Sequence, residues 1–338
     1  MVAADAFCDA DTRQAAAQVV QLGYARGGFD AEDFGKKLFP LLSQSGGFVY
    51  GSGFETRPQL LEEIAQLCPV LGNTAQTVGI TKDPGRFFPL LSLLGLPFPE
   101  ISLTLPAATE GWLSKRIGGS GGTHVMPAMQ ADDSGGYYQR LVPGKPCSLL
   151  FLADGKRARA VGYNAQLLAP APGMPYRYGG VVSQAELPES VRKGLLQTAQ
   201  QLTMELELRG LNSLDCMVDG DGFVVLEINP RLSASFALYD AENRGARLFE
   251  AHLRACAGQL PADFPAEPAQ AHLIYYAPFD LAIPVALAWP QWVADIPPGV
   301  TRIKAGEPVC TVMAVAATTH EAMALARTRV AELTQRIT

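Results

Sequence analysis

Apolar and polar positions repeat with two different periods along this 338-residue chain. Near the N-terminus, VAADAF, DADTRQAAAQVVQL and FVYGSGF predict strand, helix and strand, the order of a small parallel α/β layer. A helix is predicted from Thr56, which with Gln59 has the pattern of a capping box ahead of the apolar stripe LLEEIAQL. Asp83-Pro84 predicts another helix start, with Gly95 closing the segment. From about Ile101 to Leu168, the runs WLSKRI, YYQRLV and CSLLFLADG are separated by glycine-rich or turn segments and predict an antiparallel sheet. SVRKGLLQTAQQLTMELEL then places Val191, Leu195, Ala199, Leu202 and Leu206 on one face of a long helix, which Gly210 is expected to end. Two strands and a helix are expected over about 241–257, a surface crossing at QLPADFPAEPAQ, and a last helix from Thr318 with a capping box to Glu321.

Composition adds limits rather than elements. At 48% hydrophobic residues the chain can bury a sizeable core, and its length allows two or three domains of roughly 100–200 residues. A net charge of -6 with no run of like charges argues against a nucleic-acid partner or a basic membrane-binding stripe. The greasiest stretches, FFPLLSLLGLPF and HLIYYAPFDLAIPVALAWPQW, are broken by prolines or Asp280 and read as core, not as a signal or span. Six scattered cysteines without a Cys-x-x-Cys pair fit a reducing cytoplasm, and four well-separated histidines give no support for a histidine metal site.

The sharpest local pattern is SLDCMVDGDGFVVLEINPR, two strand-like runs around a turn-forming cluster. With a loop of two or four residues, symmetric pairing sets Asp215 opposite Leu226 and sends Asp215 and Glu227 to opposite faces. With Gly220-Asp221-Gly222 as a three-residue loop and Gly222 left-handed, Asp215 faces Glu227 and Asn229 shares that face. Three hard oxygen donors then converge, a set suited to Mg²⁺ shared with phosphates. The plainer reading, polar residues on the solvent face of an amphipathic hairpin, stays open beside it. Arg231, just past Asn229-Pro230, is placed to grip a phosphoryl group or to form a surface ion pair.

Upstream, Lys115 lies on a strand followed by Gly118 to Gly122, small residues that let a backbone fold over phosphates. No Gly-Lys-Ser/Thr follows, so this is not a P-loop. Lys82, just before a helix start, is a second compact charge for phosphate, and YYQRLVPGKP has the form of a strand leading into a hinge.

Taken in order over about Lys82 to Ala257, these pieces resemble the ATP-grasp superfamily of carboxylate-amine ligases and biotin carboxylase, most specifically at LDCMVDGDGFVVLEINPR. The resemblance implies an ATP-grasp fold of the α/β class, antiparallel sheets clasping ATP behind an N-terminal parallel α/β domain. It places that domain at 1–80, the grasp domain at 81–258 with a flap subdomain at about 86–145, and a C-terminal segment at 259–338 packing on the grasp domain. By the same resemblance Lys82 and Lys115 hold phosphates. Gly119, Ser120, Gly121 and Gly122 form the flap, and Gln139 to Val142 form the adenine hinge through Leu141 and Val142. Asp215, Glu227 and Asn229 bind one or two Mg²⁺, with Mn²⁺ able to substitute, while Lys115 and Arg231 act on the transferring group. Gln139-Arg140 stands where the family often has a glutamate, and Pro146 where a ribose-binding acid often occurs.

Relatives usually open with a further strand and helix, so either Met1 is an internal start or the first βα unit is absent. GSGFETRPQLLEEI and the tail from Asp295 resemble a smaller group near the tyramine-glutamate ligase of methanofuran synthesis, in one-carbon metabolism. The implied activity is a cytoplasmic ATP-dependent ligase that joins a small-molecule carboxylate to an amine through an acyl phosphate, with a homodimer compatible. A bicarbonate-using carboxylase and a non-catalytic nucleotide-binding protein are the alternatives.

Overall fold

In the computed structural model, which describes every residue except 26–27, 131–135, 240–245, 263, 265–266, 285–286 and 338, the strand Lys145–Asp154 lies inside an eight-stranded antiparallel sheet. The order across it is Gly222–Asn229, Arg209–Asp219, Lys145–Asp154, Ala158–Leu168, Tyr178–Ser183, Ala269–Tyr276, Pro308–Ala316 and Val293–Ala294. Leu149, Phe151 and Ala153 meet the expected stripe of the helix Glu189–Leu206. Leu150, Leu152 and Leu211 meet the helix Ala246–Cys256 through Leu248, Ala251 and Ala255. A strand covered on both faces has no polar side to alternate, which explains the unbroken run CSLLFLA.

Residues beyond 259 do more than pack on this sheet. The strands Ala269–Tyr276 and Pro308–Ala316 continue it past Tyr178–Ser183. The last helix, Thr319–Ile337, seals that part with Ala322 and Ala326. Its capping box forms as read: the Thr318 N–H donates to Glu321 Oε2 at 3.1 Å, and the Glu321 N–H donates to Thr318 Oγ1 at 3.2 Å. A separate four-stranded sheet, ordered Ile101–Ser102, Gly136–Arg140, Trp112–Arg116 and Met126–Pro127, falls within the stretch expected to form the flap, about 86–145.

The N-terminal part departs most from expectation. Val2–Asp5 and Gln18–Gln21 do pair in parallel, but the helix between them stops at Ala15, because the β-branched Val19 and Val20 join the strand. FVYGSGF is a loop held by one bridge between Phe48 and Val70. Thr56 does not cap a helix: Pro58 lacks one of the amides that a Thr56 cap would bond, and the helix Gln59–Ala65 starts after it. An unforeseen helix, Ala75–Lys82, opens on Thr74, whose side chain accepts from the Thr77 N–H. Asp83 caps Pro84–Leu93 as expected, whereas the long helix ends on a left-handed Glu207 rather than at Gly210. Of the strands and helix expected at 241–257, 246–256 is helix and 241–245 lie outside the described residues, as do 263, 265 and 266 in the proline-rich crossing.

Buried hydrogen bonds fasten the N-terminal part to the sheet. Asn73 Nδ2 donates to Asn212 Oδ1 at 2.8 Å, Pro230 O at 2.9 Å and Arg209 O at 3.1 Å, while its Oδ1 accepts the Arg209 N–H at 2.8 Å. The Tyr50 hydroxyl donates to Asn73 O at 2.9 Å. His252 Nδ1 accepts the Leu211 N–H at 2.9 Å, and Nε2 lies 3.0 Å from Leu71 O, the arrangement of a neutral ring with its proton on Nε2.

Removing the Asn73 amide leaves buried polar groups unpaired, each costing about 1–3 kcal/mol, so Asn73→Ala should lower the urea midpoint at constant slope. Burial also holds the His252 and His272 pKa values below the ordinary value, to about 4 for His272. The unfolded chain takes up these protons near pH 6.5 and the folded chain refuses them. Stability is therefore full above that pH and falls as pH drops toward about 4. The urea midpoint should decline over this window, and less steeply in His272→Gln.

Candidate active site

The carboxylate hairpin reaches the expected register by another route. Asp219 pairs with Gly222, so the loop is the two residues Gly220-Asp221, with Gly220 at φ 53° and no positive φ at Gly222. Positive φ at the first loop position alone is the pattern of a type II′ turn. Pairing then runs symmetrically to Cys216 and Val225, where Leu226 is left over as a β-bulge, and Asp215 comes opposite Glu227 and Ser213 opposite Asn229. The extra residue stands in the strand, not in the turn. It flips everything beyond it to the other face.

The convergence has measurable contacts. Asn229 Nδ2 donates to Asp215 Oδ2 at 3.1 Å. Lys82, at the end of its helix, donates to Glu227 Oε2 at 3.1 Å and to Asn229 Oδ1 at 2.8 Å. Burial alone would push the Glu227 carboxyl up, but the Lys82 and Lys115 ammonium groups outweigh it and hold Glu227 below the usual range. Asp215 goes the other way: burial and then the charge of Glu227 push it well above that range. Gln166, from the next-but-one strand, also hydrogen-bonds Asp215. These hard oxygens fit Mg²⁺, which keeps waters and takes few protein ligands. No cluster of three His, Cys, Asp or Glu suited to a metal occurs among the described residues, which leaves the other coordination positions to phosphate and water.

Lys115 stands across the cleft on the flap, 3.2 Å from Gln139 Oε1 and with its ammonium 5.7 Å from the Tyr137 ring centroid. Burial would lower its pKa; Tyr137, then Glu227, reverse the effect and raise it. The flap loop is folded through left-handed Gly118, Gly121 and Gly122. Its tip is fastened by the Tyr178 N–H donating to Gly121 O at 2.9 Å, and a Cβ at Gly122 would overlap the Tyr176 carbonyl. Ser120 is exposed at the tip, and the Gly119 amide is used within the turn, donating to Arg116 O at 3.2 Å. The cavity left beneath, lined by Lys82, Lys115, His124, Tyr137 and Glu227, is only 30 Å³, too small for a nucleotide with the loop in this position. A larger cavity of 880 Å³ borders the helix Ala246–Cys256 but is lined by none of the expected site residues.

The hinge is less well matched. Gln139 is buried against Lys115 rather than turned to a ligand, and the Leu141 N–H already donates to Gly111 O at 2.8 Å. Leu141 is exposed and Val142 half-buried just past the strand. A direct adenine contact through the Leu141 amide is therefore removed from the expected set.

Arg231 is not a surface ion pair: its Nε donates to Glu55 Oε1 at 2.5 Å, and both side chains are nearly buried. Glu55 escaped the sequence reading, since it stands alone between the run that read as strand, FVYGSGF, and the helix expected from Thr56. His124 lines the cleft too, its Nδ1 accepting the Arg116 N–H at 3.1 Å. Burial, then Lys115, pull its pKa down to about 4. No spacing signal marks either residue.

Comparisons with known proteins bear on the fold. Residues 87–235 match the ATP-grasp domain model. The large chain of arginine-specific carbamoyl phosphate synthase from Bacillus subtilis (strain 168) is 23% identical over 185 residues, 48% of this chain and only 18% of that relative's length. Carboxyaminoimidazole ribonucleotide synthase from Aspergillus clavatus, solved with ATP, superposes with a TM-score of 0.71 at 14% identity, over 99% of this chain and 92% of that one. The biotin carboxylase domain of Hydrogenobacter thermophilus 2-oxoglutarate carboxylase, solved with MgADP, ADP and bicarbonate, gives 0.72 at 11% identity, over 97% and 83%. At such identities the structural likeness is one of fold. The chain thus has the ATP-grasp fold, with residues 87–235 matching the ATP-grasp domain model.

Proposed function

We propose that this chain is an ATP- and Mg²⁺-dependent ligase that activates a carboxylate as an acyl phosphate for attack by an amine. The observation that carries this reading is that Lys82 and Lys115 line one cleft with Glu227, that Lys82 also bonds Asn229 and Asn229 bonds Asp215, and that the Arg231 charge acts on Glu227. A carboxylate oxygen attacks the γ-phosphorus of ATP and ADP leaves. The amine lone pair then attacks the acyl carbon, the acyl–oxygen bond breaks, phosphate departs and the amine gives up a proton.

Magnesium held by Asp215, Glu227 and Asn229 would neutralise phosphate charge. The chain's own part is positioning. Lys82 and Lys115 hold phosphates, and Arg231 faces the transferring group with fixed donors. The glycine flap keeps water from an acyl phosphate that would otherwise hydrolyse.

A second reading takes bicarbonate as the carboxylate, favoured by the carboxylases among the structural neighbours, one of them solved with bicarbonate. A role in methanofuran-type cofactor assembly is the narrowest reading and rests on two resembling segments, the first of which, GSGFETR, brings Glu55 to the site. Screening ADP release against amino acids, tyramine, short glutamyl compounds and bicarbonate separates these. Release that needs both an acid and an amine supports the ligase, whereas release with bicarbonate and no amine supports the carboxylase.

Glu227→Gln should lower Mg²⁺-dependent ADP release by about 100-fold or more while the folded circular dichroism spectrum is retained. A wild-type rate in that variant would remove Glu227 from the site.

A further inference from the structure

We propose that Glu55 is the positioning residue for Arg231, and that flap closure reaches Arg231 through the backbone of residue 55. The inference rests on the ligase reading above. Glu55 is 7% exposed and spends both carboxylate oxygens on fixed partners: Oε1 accepts Arg231 Nε, and Oε2 accepts the Gly53 N–H at 2.6 Å. A second nitrogen of the same guanidinium, Nη1, donates to Leu232 O at 3.0 Å. Because the guanidinium is planar, holding two of its nitrogens fixes the plane and aims the remaining donors. The guanidinium so fixed lies near enough to the carboxylate hairpin for its charge to act on Glu227, after those of Lys82 and Lys115.

The loop is built to hold this one carboxylate. Gly53 has φ 110°, and a Cβ there would lie 2.6 Å from the Phe29 ring, so no other residue fits without displacing it. Burial pushes the Glu55 carboxyl up, but Arg231 and then Lys82 reverse this and keep it ionised. From the flap side, a Cβ on Gly118 would meet Thr56 Cγ2 at 2.9 Å and the Glu55 carbonyl at 3.1 Å. The lowered flap therefore rests directly on the peptide of residue 55. When the flap lifts that support goes, and Arg231 is held less firmly; when it rests on residue 55 again, the guanidinium is fixed.

The test uses the full chain with Mg²⁺, ATP and the substrate pair found by ADP release. Glu55→Gln keeps shape and an acceptor but removes the charge. Its kcat should fall about 100-fold, the scale of a misplaced catalytic group, with the KM for ATP near wild type and part of the loss restored in Glu55→Asp. If Glu55 acts through Arg231, Glu55→Gln combined with Arg231→Lys is no slower than Arg231→Lys alone; losses that multiply would overturn the inference.

A readout independent of turnover is the arginine Nε–H spectrum of protein carrying ¹⁵N-arginine. One exchange-protected resonance should vanish in Arg231→Lys and in Glu55→Ala, which removes the acceptor, and weaken in Gly118→Ala. Absence of such a resonance in the wild type, its persistence in Glu55→Ala, or no change in Gly118→Ala refutes the positioning role. No ADP release with any substrate pair refutes the ligase reading instead.

Discussion

Two carboxylates set opposite each other on one half-buried hairpin repel, and the rest of the site is arranged around that repulsion. Leu226 creates it, because the bulge turns Asp215 toward Glu227 when an unbroken ladder would have sent them apart. The protein answers with an uneven pair, Glu227 held ionised by Lys82 and Lys115 and Asp215 pushed toward its neutral form. Each carboxylate also accepts hydrogen bonds, Asp215 from Asn229 and Gln166 and Glu227 from Lys82.

Rigid and movable parts divide along clear physical lines. The hairpin is backed by a sheet buried on both faces, and Asn73, Tyr50 and His252 bind the N-terminal part to it with buried hydrogen bonds. Lys82 and Glu55 come from that fastened part, so their distances to Glu227 and Arg231 are set by the core. Lys115 belongs to the flap, whose closed position depends on a few contacts, the Tyr178 amide and the backbone of residue 55 among them. The two lysines of the cleft thus stand on different parts, Lys82 on the fastened wall and Lys115 on the four-stranded sheet.

Much of this was legible in the sequence wherever one residue type has one physical use. The stripe from Val191 to Leu206, the Asp83-Pro84 helix start and the Thr318–Glu321 capping box follow local rules that tertiary contacts did not override. The carboxylate cluster was legible as a register choice, yet its cause was misplaced: Gly222 looked like the required left-handed residue, whereas a bulge at Leu226 does the same with no distinctive side chain. FVYGSGFETRP read as strand and cap because its apolar spacing hides a loop whose shape is dictated by Gly53, Pro58 and a distant arginine. Glu55 could not be found from spacing, since its partner lies at Arg231.

The central claim is that Asp215, brought round by the bulge, completes a metal–nucleotide site with Glu227 and Asn229. Water-proton relaxation with Mn²⁺ and ATP measures this directly, because protein-bound Mn²⁺ enhances relaxation beyond that of Mn²⁺-ATP alone. The account predicts enhancement with the wild type and little or none with Asp215→Asn; equal enhancement in the two proteins would contradict it.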